Sequence, residues 1–465
     1  MIANWPQIGG VDFYYYITNA RDWVSLPAKE LSPTRYFYFP GVYIFWGTMI
    51  KWFGPHLPFL QYSYIAVLLL NSALCGMVIY RSQRALIWAI LSTILYLYFA
   101  PKIEGLSGCT EPIATLFFLC ALLFWDFELK TERLKFSHAL AITLMTLGVF
   151  IKQQSILILG SVGLVTLVLT EKRWMKKNLI AIYLGLFLFI LFTLFWLESG
   201  SLAPLLKGLS SLDKYEHHGN IWMHLAGFFN RIQPLGYTLC LSLLFFLFSA
   251  FKVKQNSIID KQQISIIGAF GVLAFIPLIQ FKARGYPHYG LYCLPFLIIA
   301  TVLLGRWGLD KLKLLFSEKK TLVLKNICAM ALIIFISYKV YEANLAPVLQ
   351  TYSNIENTRY QFFCNDIVGD TIYLIPNREN AFYWICNKRP FDVEYGYSWP
   401  ELPSEVFIQR IQSGRAKSIF LFRPTVGSFE EKVLAEPNYS SIADALIANG
   451  YQTLSTNDIG TLYIK

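Results

Sequence analysis

The chain places carboxylates and cations where apolar segments begin or end. Asp12 stands in GGVDFYYYITNARDW, ahead of an aromatic run containing Tyr14, Tyr15 and Tyr16. Glu111 opens an apolar stretch within KIEGLSGCTEPIATLFFL, after Glu104, and Lys152 interrupts another in FIKQQSI. FKARGYPHYGLYCLP gathers Lys282, Arg284, Tyr286, His288 and Tyr289, and the segment 198–232 carries Asp213, Glu216, His217, His218 and Arg231. A carboxylate near a hydroxyl takes the proton as that oxygen attacks. Cations hold a phosphate and stabilise it as it leaves, Arg with a planar fork of donors and Lys with a point charge. Beside apolar segments, the set suits a lipid-linked phosphate substrate.

The composition supports that setting. Of 465 residues, 55% are hydrophobic and only 15% charged, against about 25% charged in soluble domains. Mean hydropathy is +0.46. Aromatics reach 17%, as expected where Trp and Tyr collect at bilayer interfaces. The net charge of +11 comes from short basic clusters between apolar runs, the pattern of cytoplasmic loops, so nucleic acid is excluded as a partner. Cys75, Cys120, Cys240, Cys293 and Cys328 lie inside apolar runs and are expected as small buried hydrophobes. Cys109, Cys364 and Cys386 lie where they can face outside, and Cys364–Cys386 is a possible disulfide. No Cys or His spacing forms a zinc site, adjacent His217 and His218 are poorly placed to share one metal, and no cofactor is expected; a divalent cation remains possible without support from any motif.

A span needs about 20 apolar residues. Ten candidates occur: 59–79, 84–100, 111–127, 136–151, 155–170, 179–197, 233–251, 264–280, 288–305 and 322–341. The apolar stretch 37–53, interrupted by Pro40, Gly41 and Lys51, is expected as a helix lying at the membrane surface. Lys and Arg cluster in every second loop, at 80–84, 128–135, 171–178, 252–263 and 305–320, which assigns those loops to the cytoplasm and every chemistry-bearing segment above to the outside. After Tyr341 the pattern changes. Strand-like TIYLIP (371–376), SIFLF (418–422) and GTLYIK (460–465) alternate with helix-like pieces near 378–387, 404–413 and 440–449, predicting a small outer α/β domain. The expected division is an outer loop with surface helices at 1–58, a transmembrane domain at 59–341 and an extracytoplasmic α/β domain at 342–465.

GGVDFYYYITNARDW, followed by YFYFPGVYIFWGTMIKWFG, resembles the first outer loop of the polyprenyl-phosphate-sugar glycosyltransferases of GT-C fold, which include family 39, the protein O-mannosyltransferases and the lipid A aminoarabinose transferases. Asp12, Tyr16, Tyr38, Pro40, Phe53 and Gly54 fill the places of that loop's Asp, aromatic, Tyr/Pro turn and Phe-Gly helix end. CTEPIATLFFLCALLF resembles the next outer motif through Glu111, FIKQQSILIL the Lys that opens a later span through Lys152, and RGYPHYGLYCLPFLIIA the late His-Tyr…Pro motif through His288, Tyr289 and Pro295. DTIYLIPNRENAFYWICNKRP resembles the outer domain of many bacterial members. Phe13 stands where a second acid is often found, and Gly41 where the turn has a second Pro. The resemblance implies an α-helical polytopic membrane enzyme at the cytoplasmic membrane, transferring a sugar from a polyprenyl-phosphate carrier to a hydroxyl acceptor with inversion. Asp12 would be the general base or would orient the acceptor, with Glu111 assisting. Lys152, Arg284 and His288 would hold the carrier phosphate, with Tyr16, Tyr38 and Tyr289 lining the substrate site. The family's first span lies ahead of the Asp, whereas eleven residues precede Asp12; the expectation is an apolar segment encoded just upstream, or a shortened enzyme.

Plainer roles compete for each residue. Asp12 is also suited to capping a surface helix, Glu111 to complementing a helix dipole, Lys152 to snorkelling, and Arg284 and Lys282 to interfacial anchoring. The three tyrosines fit an interfacial belt better than a sugar platform. Competing functions are a transporter or flippase of lipid-linked sugars, disfavoured by few mid-span charges and no repeated halves, and a surface-polysaccharide ligase or polymerase using the His and Arg residues of the segment 198–232, Arg231 among them.

Overall fold

The computed structural model describes residues 11–25, 41–103, 105, 108–125, 136–169, 185, 188, 221–233, 235–250, 258–282, 287–311, 334, 359–375, 380–390, 404–423 and 436–465. Two compact units result. One gathers Met1–Leu60, Trp196–Glu216 and Ala346–Lys465; the other holds Gln61–Phe195 and His217–Leu345.

The second unit is helical. Its described elements are α3 (Leu57–Gln83, beginning in the first unit), α4 (Leu86–Phe99), α5 (Glu111–Phe124), α6 (Phe136–Ile151), α7 (Ile156–Leu169), α8 (Ile221–Arg231), α9 (Leu235–Ala250), α10 (Ile258–Phe275) and α11 (Leu294–Lys311). Apolar runs of this kind fold as helices in lipid because every backbone donor and acceptor must be satisfied internally. Leu57–Gln83, Leu86–Ile103 and Gln263–Phe281 are long and apolar enough to cross a membrane, at mean hydropathies of 1.8, 1.6 and 2.2. Glu111–Phe124, Phe136–Ile151, Ile156–Thr166 and Leu235–Leu247 are apolar but shorter. Helices therefore stand at eight of the ten expected spans. The other two, 179–197 and 322–341, lie outside the described residues apart from positions 185, 188 and 334.

The helix breaks have local causes. The expected span 264–280 is an α-helix only to Phe275 and continues as a 3₁₀ segment, Ile276–Lys282. Pro277 lacks the N–H an α-helix needs and crowds the carbonyl four residues back. Pro287 opens a second 3₁₀ segment, Pro287–Tyr292, before α11 restarts with Pro295 in its first turn, where the missing N–H costs nothing. Small residues let α9 and α10 approach closely: a Cβ on Gly268 would meet the Phe246 backbone at 2.6 Å, and one on Gly271 the Ser242 Cβ at 2.6 Å. Such contacts replace the hydrophobic drive that is absent between helices in lipid.

In the first unit, α1 (Val11–Ser25) packs on α2 (Gly41–Phe53). Phe13 meets Trp46 edge-on at 5.5 Å, Trp23 stacks on Tyr43 at 6.2 Å, and the Tyr15 and Tyr43 hydroxyls are 3.3 Å apart. Tyr14, Tyr15 and Tyr16 are all buried. They form part of this packed core rather than a belt, because α2 supplies aromatic partners that the sequence of α1 alone does not disclose.

The C-terminal part of the same unit is a five-stranded mixed sheet of order β2-β1-β3-β5-β4. Its strands are β1 (Thr371–Ile375), β2 (Arg389–Pro390), β3 (Ser418–Phe422), β4 (Gln452–Thr456) and β5 (Gly460–Ile464). β1 runs parallel to β2 and β3, and β5 runs antiparallel to β3 and β4. Alternation along β3 splits its side chains between two covered faces. Ile419 and Leu421 join Tyr373, Ile375 and Tyr463 beneath α13 (Ser404–Gln412) and α14 (Glu436–Ala448), through Phe407, Ile411, Ile442 and Leu446. Phe420 and Phe422 meet Phe363 and Phe382 on the opposite face, Phe382 belonging to α12 (Asn380–Ile385). The three expected strands and three expected helical pieces are present. Cys364 and Cys386 form a disulfide, with Cα atoms 4.7 Å apart.

Candidate active site

Lys152 lies in a break between two apolar helices. α6 ends at Ile151, a 3₁₀ turn covers Gln153–Ser155, and α7 follows. The Lys152 N–H still reaches the Gly148 carbonyl, and its own carbonyl accepts from the Ser155 N–H at 2.9 Å. The break therefore leaves no Lys152 backbone group unsatisfied while moving its side chain off the helical repeat. Glu111 stands at the head of α5, before Pro112. Its Oε1 accepts a hydrogen bond from Lys152 Nζ. The residues are 0% and 2% exposed.

A buried ion pair gains Coulomb energy at the expense of hydration, so its net stabilisation is small while removal of either partner is costly. Only a close approach of α5 and α6 makes this pair possible. One turn below it, a Cβ on Gly148 would stand 2.6 Å from the Phe118 ring and 3.0 Å from the Ala114 carbonyl. Gly148→Ala is thus expected to force the helices apart, destabilising the protein by about 1–3 kcal/mol and loosening the pair. Thermal unfolding of the detergent-purified variant measures the first effect.

The 3₁₀ segment Pro287–Tyr292 brings in the late motif. His288 and Tyr289 are both buried, and His288 interacts electrostatically with Glu111. The Tyr289 ring centroid lies 5.7 Å from Lys152 Nζ, within cation–π range. In a 3₁₀ helix residues three apart share a face; Tyr292 follows Tyr289 by three, and its hydroxyl accepts a hydrogen bond from Ser155 at 3.1 Å. Ser155 in turn is three residues beyond Lys152. Neither Ser155 nor Tyr292 was singled out in the sequence, although the same spacing of three from Lys152 and Tyr289 marks both. Phe228 of α8 closes over this segment, so tightly that a Cβ on Gly290 would lie 2.0 Å from its ring. Glu111 Oε2 is buried and has no hydrogen-bond partner among the described residues.

Glu111, Lys152, His288 and Tyr289, separated by up to 178 residues, are therefore one cluster in the helical unit. Chemically it offers an ammonium held against the Glu111 carboxylate, beside an imidazole and an aromatic face. Asp12 is the second residue of α1, in the other unit; only its backbone is among the described features. Tyr16, one turn further on, is 1% exposed and meets the Tyr15 ring at 5.3 Å. Tyr38 and Arg284 lie outside the described residues. Among the described residues no group of His, Cys, Asp and Glu is placed to hold a metal ion.

The chain resembles two solved membrane proteins. It matches ArnT from Cupriavidus metallidurans, in a crystal structure bound to undecaprenyl phosphate, with a TM-score of 0.62 and 12% identity over 99% of this chain and 94% of that one. It matches the archaeal oligosaccharyltransferase AglB from Archaeoglobus fulgidus, in complex with an inhibitory peptide and a dolichol-phosphate, with a TM-score of 0.52 and 12% identity over 98% of this chain and 70% of that one. No protein-family model and no curated protein matches the sequence. The fold shared with them is GT-C-like, mostly helical with a small C-terminal mixed sheet.

Proposed function

We propose that this chain is an inverting glycosyltransferase of the cytoplasmic membrane, moving a sugar from a polyprenyl-phosphate carrier to a hydroxyl acceptor at the outer face. The observation that carries the reading is the buried Glu111–Lys152 pair, with His288 and Tyr289 beside it, at a helix break in a GT-C fold. In this reading the acceptor oxygen attacks the anomeric carbon and its proton passes to Asp12. The bond from that carbon to the carrier phosphate breaks, its electron pair leaving with the phosphate. Lys152 stabilises the phosphate's growing negative charge together with His288 and Arg284. Glu111 then serves as the holder of the lysine. Tyr289 covers the cation, while Tyr16 and Tyr38 belong to the first outer loop's share of the substrate site. The 1–58, 59–341 and 342–465 division follows the same reading, with the last segment outside.

Mass spectrometry of envelope glycans and of lipid-linked sugars, from cells with and without the gene, tests the proposal. One sugar is expected to vanish from an acceptor and to accumulate on its polyprenyl phosphate. An unchanged profile of both would overturn it.

A further inference from the structure

Arg21 stands near the C-terminal end of α1, and its guanidinium is engaged on every side. Nε donates to the neighbouring Asp22 carboxylate at 3.4 Å. One terminal nitrogen donates to the Tyr383 carbonyl at 3.4 Å and to Asn387 Oδ1 at 3.3 Å, and the other to the Lys388 carbonyl at 2.9 Å. Its carbon lies over the Trp384 ring, 5.5 Å from the centroid. Apart from Asp22, these partners belong to one structure, the C-terminal end of α12 and its cap. There the Lys388 N–H returns to the Tyr383 carbonyl, the Asn387 N–H to the Trp384 carbonyl, and Asn387 adopts φ +49°. That is the Schellman arrangement, with Asn in the left-handed position usually held by Gly. A helix C-terminus concentrates partial negative charge on unsatisfied carbonyls, which suits a cation.

The cap itself is anchored to the outer domain. Cys386 is its central residue and is disulfide-bonded to Cys364. Lys388 Nζ donates to the Gly369 carbonyl at 2.6 Å, and the Arg389 N–H to the Asp370 carbonyl at 2.8 Å, where β2 joins β1. Arg21 therefore docks α1 onto a covalently pinned loop of the C-terminal sheet domain.

We propose that Arg21 is a positioning residue, through which the C-terminal domain fixes the helix that carries Asp12; the inference rests on Asp12 acting in the proposed transfer. Nine residues separate positions 12 and 21, about 13 Å along the helix and half a revolution around it. Arg21 thus acts on the site through the setting of α1, and the outer domain becomes part of the catalytic scaffold rather than an appended module. Small errors in placing a reacting group cost large factors in rate.

The test uses the full chain in lipid nanodiscs, with the lipid-linked sugar that accumulates in cells lacking the gene as donor. Arg21→Ala, Arg21→Lys, Asn387→Gly and the double variant R21A/N387G are compared with Asp12→Asn. Arg21→Ala is expected to raise amide exchange in α1 and at 380–388, and to lower kcat about ten-fold or more with KM changed less than about two-fold. Arg21→Lys should recover part of the loss, and R21A/N387G should be no worse than R21A, since Gly keeps the left-handed cap geometry and the Asn387 contact is already lost with Arg21. Normal kcat in Arg21→Ala beside an inactive Asp12→Asn would overturn the positioning role. So would unchanged exchange in both α1 and the cap. Activity in Asp12→Asn would instead defeat the assignment of the base, leaving the exchange data to decide the docking by itself.

Discussion

Lys152→Met is expected to abolish sugar transfer and to destabilise the protein together. Removing one electrostatic donor from a charge-developing site costs about 10²–10³-fold in turnover. Removing the cation also leaves the fully buried Glu111 carboxylate uncompensated, a loss of about 3–5 kcal/mol. The two effects separate in E111Q/K152M. With both charges gone, stability should return to near that of the parent protein, because a buried pair contributes little net stability, while turnover stays at the level of Lys152→Met. Glu111→Gln by itself should be destabilised like Lys152→Met but retain more turnover, since the ammonium survives without its holder. Were Glu111 a proton acceptor in the reaction, its Gln variant would be at least as inactive as Lys152→Met. Lys152→Arg is not a neutral control, for a planar fork cannot replace a point charge in this packed break. Unfolding in denaturant and donor turnover, measured on the same four preparations, supply both readouts.

The sequence exposed those parts of the molecule whose chemistry is local. β1, β3 and β5 were legible because their runs are apolar on both covered faces. β4 was not: Gln452–Thr456 lies at the sheet edge with most of its side chains exposed, so no hydrophobic pattern marks it. Helix positions followed from apolar runs, and the break at Lys152 fell between two expected spans, but the 3₁₀ segments from Ile276 and Pro287 were read as parts of continuous spans. Lys152, Glu111, His288 and Tyr289 stood out as charge or polarity at span ends. What remained hidden was that Glu111 and Lys152, 41 residues apart, neutralise one another. Arg21 was harder still. In the sequence it is one cation beside Asp22, and its partners more than 360 residues away are two carbonyls, a side-chain amide and a ring. Backbone acceptors leave no residue-type signature, so no spacing rule could have linked α1 to the cap of α12.

That the Glu111 carboxylate is occupied by Lys152 sharpens what is expected of Asp12. In the proposed transfer Glu111 holds the lysine through Oε1, and the acceptor's proton is assigned to Asp12. Asp12→Asn discriminates between the catalytic and the structural role of this position, because Asn satisfies helix N-terminal donors about as well as Asp does. If Asp12 only caps α1, the substitution should alter neither unfolding nor turnover appreciably. If it is the base, kcat should fall by about 10²–10⁴-fold while unfolding, and amide exchange in α1, stay at parent values. Near-parent kcat in a folded Asp12→Asn protein would remove Asp12 from the chemistry and return the proton to a group outside the first outer loop.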